Sequence, residues 1–104
     1  MLDFYKISDD ENSPDYPNEE KFIGQLSFED FQLIESVVEY AEKLNVRLNY
    51  FEDFRITFEH AIKILKFTEN KIKTANKEKK AYQRFIDILN EAVSFESGVV
   101  SFCD

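Results

Sequence analysis

The sequence predicts a mainly α-helical fold, a small bundle of about three helices with a short β-ribbon open to its terminal segments. Three observations lead there. The only glycines and prolines, Gly24, Gly98, Pro14 and Pro17, leave residues 25–97 without a strong chain breaker. Within that interval Glu, Lys, Leu, Ala and Gln are frequent, and these residues lose little conformational freedom in a helix. Apolar positions recur there at three- and four-residue steps, the period of a helix with one buried face.

The first helix is expected over residues 28–44. Ser27 is its N-cap and Asp30, three residues on, completes a variant of the capping box. Phe31, Ile34, Val38 and Ala41, flanked by Val37 and Leu44, form its core stripe, so Glu29, Asp30, Glu35, Glu39 and Glu42 lie mainly outside it. That arrangement makes a carboxylate face. A second helix is expected after Thr57, with Phe58, Ala61, Ile62, Leu65 and Ile72 inward and Lys63, Lys66, Lys71 and Lys73 mostly outward. A third is expected over residues 77–95, with Ala81, Phe85, Ile86, Leu89, Ala92 and Val93 inward and Gly98 as its stop. Thr74, Ala75 and Asn76 make a weak break between the last two, so one long bent helix is the competing reading.

Residues 45–55 join the first two helices. Alternating Val46, Leu48 and Tyr50 suit either a short strand or a packed connection, and the packed connection is the narrow preference. Residues 2–7 and 99–103 are rich in β-formers, and pairing them would make the terminal ribbon. Residues 8–20 contain Asp9, Asp10, Glu11, Pro14 and Pro17 and read as a polar, turn-rich loop. The whole is expected to be one domain, with an N-terminal segment at 1–26, a helical core at 27–97 and an extended segment at 98–104.

The chain of 104 residues carries a formal net charge of −8 with 43% hydrophobic residues, 11 of them Phe, enough apolar material to fold. Such a charge disfavours phosphate backbones and anionic lipid and favours basic partners. It is unevenly spread: residues 1–42 hold twelve acids and two bases, a net of −10, and residues 63–84 hold eight bases and two acids, a net of +6. Two electrical faces are therefore expected. No apolar run approaches the ~18 residues a membrane span requires, and the first residues carry no secretory pattern, so a cytoplasmic protein is the simplest expectation.

Catalytic and metal-binding patterns are sparse. Cys103 is the single cysteine and His60 the single histidine. They lie far apart in sequence and supply neither a thiol–imidazole pair nor a tetrahedral zinc site by themselves. The acidic loop, read as an EF-hand from Asp9, has Glu20 at its twelfth position, but Pro14 stands where the turn glycine belongs. Neighbouring carboxylates such as Glu29 and Asp30 or Glu52 and Asp53 are too numerous for any one pair to indicate a glycosidase. No cofactor is expected. The lysine-rich stretch from Lys63 to Arg84, interleaved with Phe67 and Tyr82, is the one nucleic-acid candidate; pairing of its edges with the acidic first helix is the more economical use.

The tract Tyr50, Phe51, Glu52, Asp53, Phe54 and Arg55 concentrates three aromatic rings with two acids and an arginine, suiting either a core corner or an interface hot spot. The leading functional expectation is a non-catalytic module whose acidic face captures a basic protein, with Glu29, Asp30, Glu35, Glu39, Glu42, Tyr50, Glu52 and Asp53 as contacts. In size, acidity, helical content and lack of catalytic parts the chain resembles many small bacterial immunity proteins, a resemblance of character that implies a toxin as the partner. The competing expectations are a regulatory or adaptor subunit, or a homodimer, using the aromatic surface near residues 50–58, and an enzyme using carboxylates in a pocket between helices.

Overall fold

The two ends of the chain meet at the centre of a sheet. In the computed structural model, which describes residues 1–103, β1 (Leu2–Ile7) pairs antiparallel with β4 (Gly98–Cys103), in a register running from Leu2 opposite Cys103 to Ile7 opposite Gly98. β2 (Phe22–Leu26) flanks β1 and β3 (Phe54–Ile56) flanks β4, giving a four-stranded antiparallel sheet in the order β2-β1-β4-β3. Four helices complete the fold: α1 (Phe28–Leu33), which packs on β2 and α4; α2 (Glu35–Lys43), which packs on α3; α3 (Phe58–Ile72), which packs on β4 and α4; and α4 (Lys79–Ser94), which packs on β1, β2 and β4.

This architecture corrects the expected helical bundle. The fold is α/β, 48% helical and 19% strand. The terminal ribbon is present, but as the middle of a sheet rather than an appendage. β2 was hidden in the N-terminal segment and β3 in the inter-helix connection, because each is short and draws its stability from a strand distant in sequence. Val46 and Leu48 are buried without forming a strand, and the pairing falls instead on Phe54, Arg55 and Ile56.

Alternation sorts the strand residues between two environments. Leu2, Phe4, Leu26, Ile56 and Val99 face the helices and join Ile34, Val37, Ala41, Ala61, Ile64, Phe85, Leu89 and Ala92 in the main core. Each Val, Leu, Ile or Phe side chain among them contributes about 1.5–3 kcal/mol when fully buried, and each alanine less. Phe4 meets Phe54 and Phe85 edge-on, at 5.9 and 6.0 Å between ring centroids. The outer face carries a smaller cluster of Tyr5, Ile7 and Val100 with Phe102 packed beside it.

Residues 8–18 run as a loop held to the body at both β3 and α3. The Arg55 guanidinium donates to the Ser8 carbonyl at 2.7 Å and to Ser13 Oγ at 3.2 Å, and the Phe58 N–H at the start of α3 donates to Asp9 Oδ1 at 2.9 Å. The loop expected over residues 8–20 holds as far as residue 18, while Glu19–Lys21 form a short 3-10 helix capped by Asn18, and Asp9 of the loop is committed to a helix N-terminus, where a carboxylate is electrostatically favoured.

The helices show what local sequence can and cannot set. Ser27 Oγ accepts from the Asp30 N–H and Asp30 accepts from the Ser27 N–H, the reciprocal box that the spacing predicts. The single helix expected over 28–44 is instead kinked at the fully buried Ile34, whose φ of −98° and ψ of 27° separate α1 from α2. The two helices expected in the C-terminal half are present as separate elements, α3 and α4, with residues 73–78 between them, in place of the competing single bent helix. Phe95 caps α4, and Glu96 at φ 53° takes the left-handed position, with the Ser97 N–H returning to the Ala92 carbonyl at 3.0 Å. Gly98, expected to be that stop, opens β4 instead. A Cβ there would collide with the Ile56 carbonyl oxygen, so glycine is needed for the close approach of β3 to β4.

Candidate functional site

The carboxylate face forms as the helical spacing predicts, with one subtraction. Glu29, Glu35, Glu39 and Glu42 are exposed on α1 and α2 and form no ion pair among the described residues. Asp30 is different. It is only 8% exposed, and Arg84 Nη1 of α4 reaches its Oδ1 at 2.8 Å and its Oδ2 at 2.9 Å. Together with the cap, that contact makes Asp30 a fastener between α1 and α4 rather than a free contact for a partner. The expected pairing of acidic and basic helices is thus concentrated in one ion pair. Elsewhere α2 meets α3 through rings, with Tyr40 and Phe67 stacked at 4.2 Å and 11°.

The connection between α2 and β3 brings the second half of the site. Leu44 caps α2, and Asn45 at φ 62° accepts the left-handed turn that its short amide side chain tolerates. Val46 and Leu48 then anchor the segment in the core, which leaves the following residues at the surface. Tyr50 is half-buried, Phe51 is 73% exposed, and both rings meet Phe28, the first residue of α1, at 5.1 and 5.8 Å. Tyr50 also touches Phe51 at 5.3 Å and Phe31 at 5.9 Å. The tract is therefore core at Phe54 and surface at Phe51, with Tyr50 between the two.

The exposed Phe28 and Phe51 and the half-buried Tyr50 form a continuous ring cluster next to Glu29, and the half-buried Phe31 carries it along α1 toward Glu35. Glu52 lies 3.6 Å from Arg47 in an exposed pair, and Asp53 Oδ1 accepts the Cys103 N–H at 3.0 Å while remaining exposed. Beyond the rings, Phe31, Gln32, Glu35 and Val38 line an open notch of about 310 Å³ across the kink at Ile34. The acidic contacts and the aromatic tract, two separate candidates in the sequence, are thus neighbours on one face. Phe28 and Phe31 were missed as site residues because helical spacing assigned Phe31 to the core and left Phe28 as a first-turn residue without a role.

The remaining candidates are dispersed. Cys103 sits at one end of β4, and Gly98, whose backbone lies against the start of α3 and hence near His60, is at the other. A six-residue strand spans ~17 Å between first and last Cα, which keeps this thiol and imidazole from forming a catalytic pair. Among the described residues no three His, Cys, Asp or Glu side chains group as metal ligands, and no helix is long and apolar enough to cross a membrane. Tyr82, which interrupts the lysine-rich stretch, is buried with its hydroxyl 2.7 Å from Ser36 Oγ, so its ring is not presented for a base to stack on, and the half-buried Phe67 is stacked on Tyr40 with Lys71 Nζ 5.6 Å from its centroid.

Against this geometry, comparisons with protein-family models, with curated proteins and with solved structures found no match to the chain.

Proposed function

We propose that this protein is a non-catalytic binding module that captures a basic protein on the face built by α1, α2 and residues 44–53, most concretely as a bacterial immunity protein that neutralises a toxin. One observation carries the reading: α1 and α2 expose four carboxylates, Glu29, Glu35, Glu39 and Glu42, without ion pairs among the described residues, and the same segment begins at Phe28, whose exposed ring meets those of the half-buried Tyr50 and the exposed Phe51. Unneutralised charge accelerates encounter with a cationic partner, and rigid aromatic rings supply the area that slows its departure. The exposed Phe51 also favours a second reading, an adaptor subunit or homodimer that relies on the rings rather than the charge.

Affinity capture of the tagged protein from its native lysate, eluted along a salt gradient, separates these readings. The expected outcome is a single basic protein, released by salt, that is toxic when expressed alone and harmless when co-expressed with this chain. A salt-resistant partner of ordinary charge, or a dimer of the chain itself, would select the second reading. Recovery of no partner from cells shown to contain a candidate toxin would refute the first.

A further inference from the structure

We infer that the notch formed by Phe31, Gln32, Glu35 and Val38 receives a long cationic side chain of the partner, arginine foremost, an inference that rests on the protein-binding reading of this face. The notch spans the break at Ile34, with Phe31 and Gln32 contributed by α1 and Glu35 and Val38 by α2. The walls differ in chemistry. Phe31 and Val38 are half-buried and offer apolar surface to a methylene stem, while the Glu35 carboxylate is exposed, unpaired and beside them. Gln32 adds an amide that can accept a further N–H.

Arginine fits this combination better than lysine. Its planar guanidinium stacks on a ring and takes two carboxylate oxygens in a fork, whereas an ammonium ion is a strongly hydrated point charge. The chain's own arginines are placed elsewhere: Arg84 is engaged by Asp30, Arg47 lies near Glu52, and Arg55 holds the loop over the sheet. The negative charge of the surrounding face excludes an anion. Contact between Phe31 and Tyr50 joins the notch to the ring cluster, so a partner loop presenting one arginine would cover both with adjacent residues.

The test uses the full chain, isotopically labelled, titrated by NMR with the blocked tripeptide Gly-Arg-Gly and with its citrulline counterpart, which keeps the shape and removes the charge. The expected result is saturable shifts centred on Phe31, Gln32, Glu35 and Val38 with the arginine peptide, at least tenfold weaker binding of the citrulline peptide, and about tenfold weaker arginine binding in Glu35→Gln. Glu91→Gln, an exposed acid on α4, should leave the titration unchanged. Equal binding of the two peptides, or shifts spread over every acidic residue, would overturn the inference. Full partner capture by Glu35→Gln would also overturn it while leaving the binding reading intact. Saturable arginine binding by a chain that captures no protein would uphold the notch and overturn that reading instead.

Discussion

The acidic face and the lysine-rich corner between α3 and α4 both expose dense charge, yet they differ in the rings beside it: Phe28 and Phe51 are exposed on the acidic face, whereas the ring at the corner, Phe67 under Lys71, is half-buried. On the acidic face, Glu29 and Glu35 flank rings that solvent reaches. At the corner, Lys71, Lys73, Lys77, Lys79 and Lys80 are exposed and form no ion pair among the described residues, but the nearby Phe67 is stacked on Tyr40. Long-range charge steers a partner toward either surface. On the proposed reading, retention depends on desolvated contact, which the exposed Phe28 and Phe51 would supply on the acidic side.

The sharpest way to break this contrast is to remove the rings and leave the charge. Tyr50→Ala combined with Phe51→Ala should weaken capture of the basic partner by about 2–4 kcal/mol, chiefly through faster dissociation, while a triple Lys77, Lys79 and Lys80 to Ser variant should bind as the parent does. Equal losses in surface-plasmon measurements would show that charge alone governs binding. The fastener beneath the face comes next. Asp30→Ala removes both the reciprocal cap and the partner of Arg84 and should cost about 1–2 kcal/mol of stability in urea unfolding, distinguishing Asp30 from its exposed neighbours, whose neutralisation should change stability far less.

A smaller effect separates steering from retention. Raising the salt concentration from 50 to 500 mM should slow association by about tenfold and leave dissociation within about a factor of two. A salt-insensitive association rate would assign capture to the rings alone. The smallest effect belongs to the lysine corner. The backbone N–H groups of Glu78 itself and of Asn76 hold the Glu78 carboxyl below the ordinary glutamate range, and the charge of Lys77 adds to this. A lowered folded-state value makes the contribution to stability present above the unfolded-state pKa and lost as pH falls through the folded-state value. Glu78→Gln should therefore slightly flatten the acid limb of the stability profile and leave partner capture unchanged.

The individual helices were more legible than their assembly. Ser27 with Asp30, and Thr57 before Phe58, marked two helix starts through chemistry confined to four residues, and both caps are in place. The carboxylate face was legible for the same reason, since helical period alone puts Glu35, Glu39 and Glu42 outward. The kink at Ile34 was not legible: no glycine or proline marks it, and a buried isoleucine looks like any other core position. β2 was equally hidden. Phe22, Ile23, Gly24, Gln25 and Leu26 do not alternate cleanly, because the pairing with β1 is irregular, with Gly24 at φ +153° opposite Phe4 and Phe22 opposite Tyr5.

The sequence by itself determined the charge asymmetry, the outward acids of the first helical segment and the β-forming character of both chain ends, since composition and local period need no tertiary partner. Only the tertiary structure decided that those ends become the centre of an α/β sheet and that Asp30 is a fastener rather than a contact. It also decided that Phe28 and Phe31 meet Tyr50 beside the acids. Each of these depends on segments some twenty to one hundred residues apart, and strand pairing, ion pairing and ring contact at that range are selected by the fold as a whole.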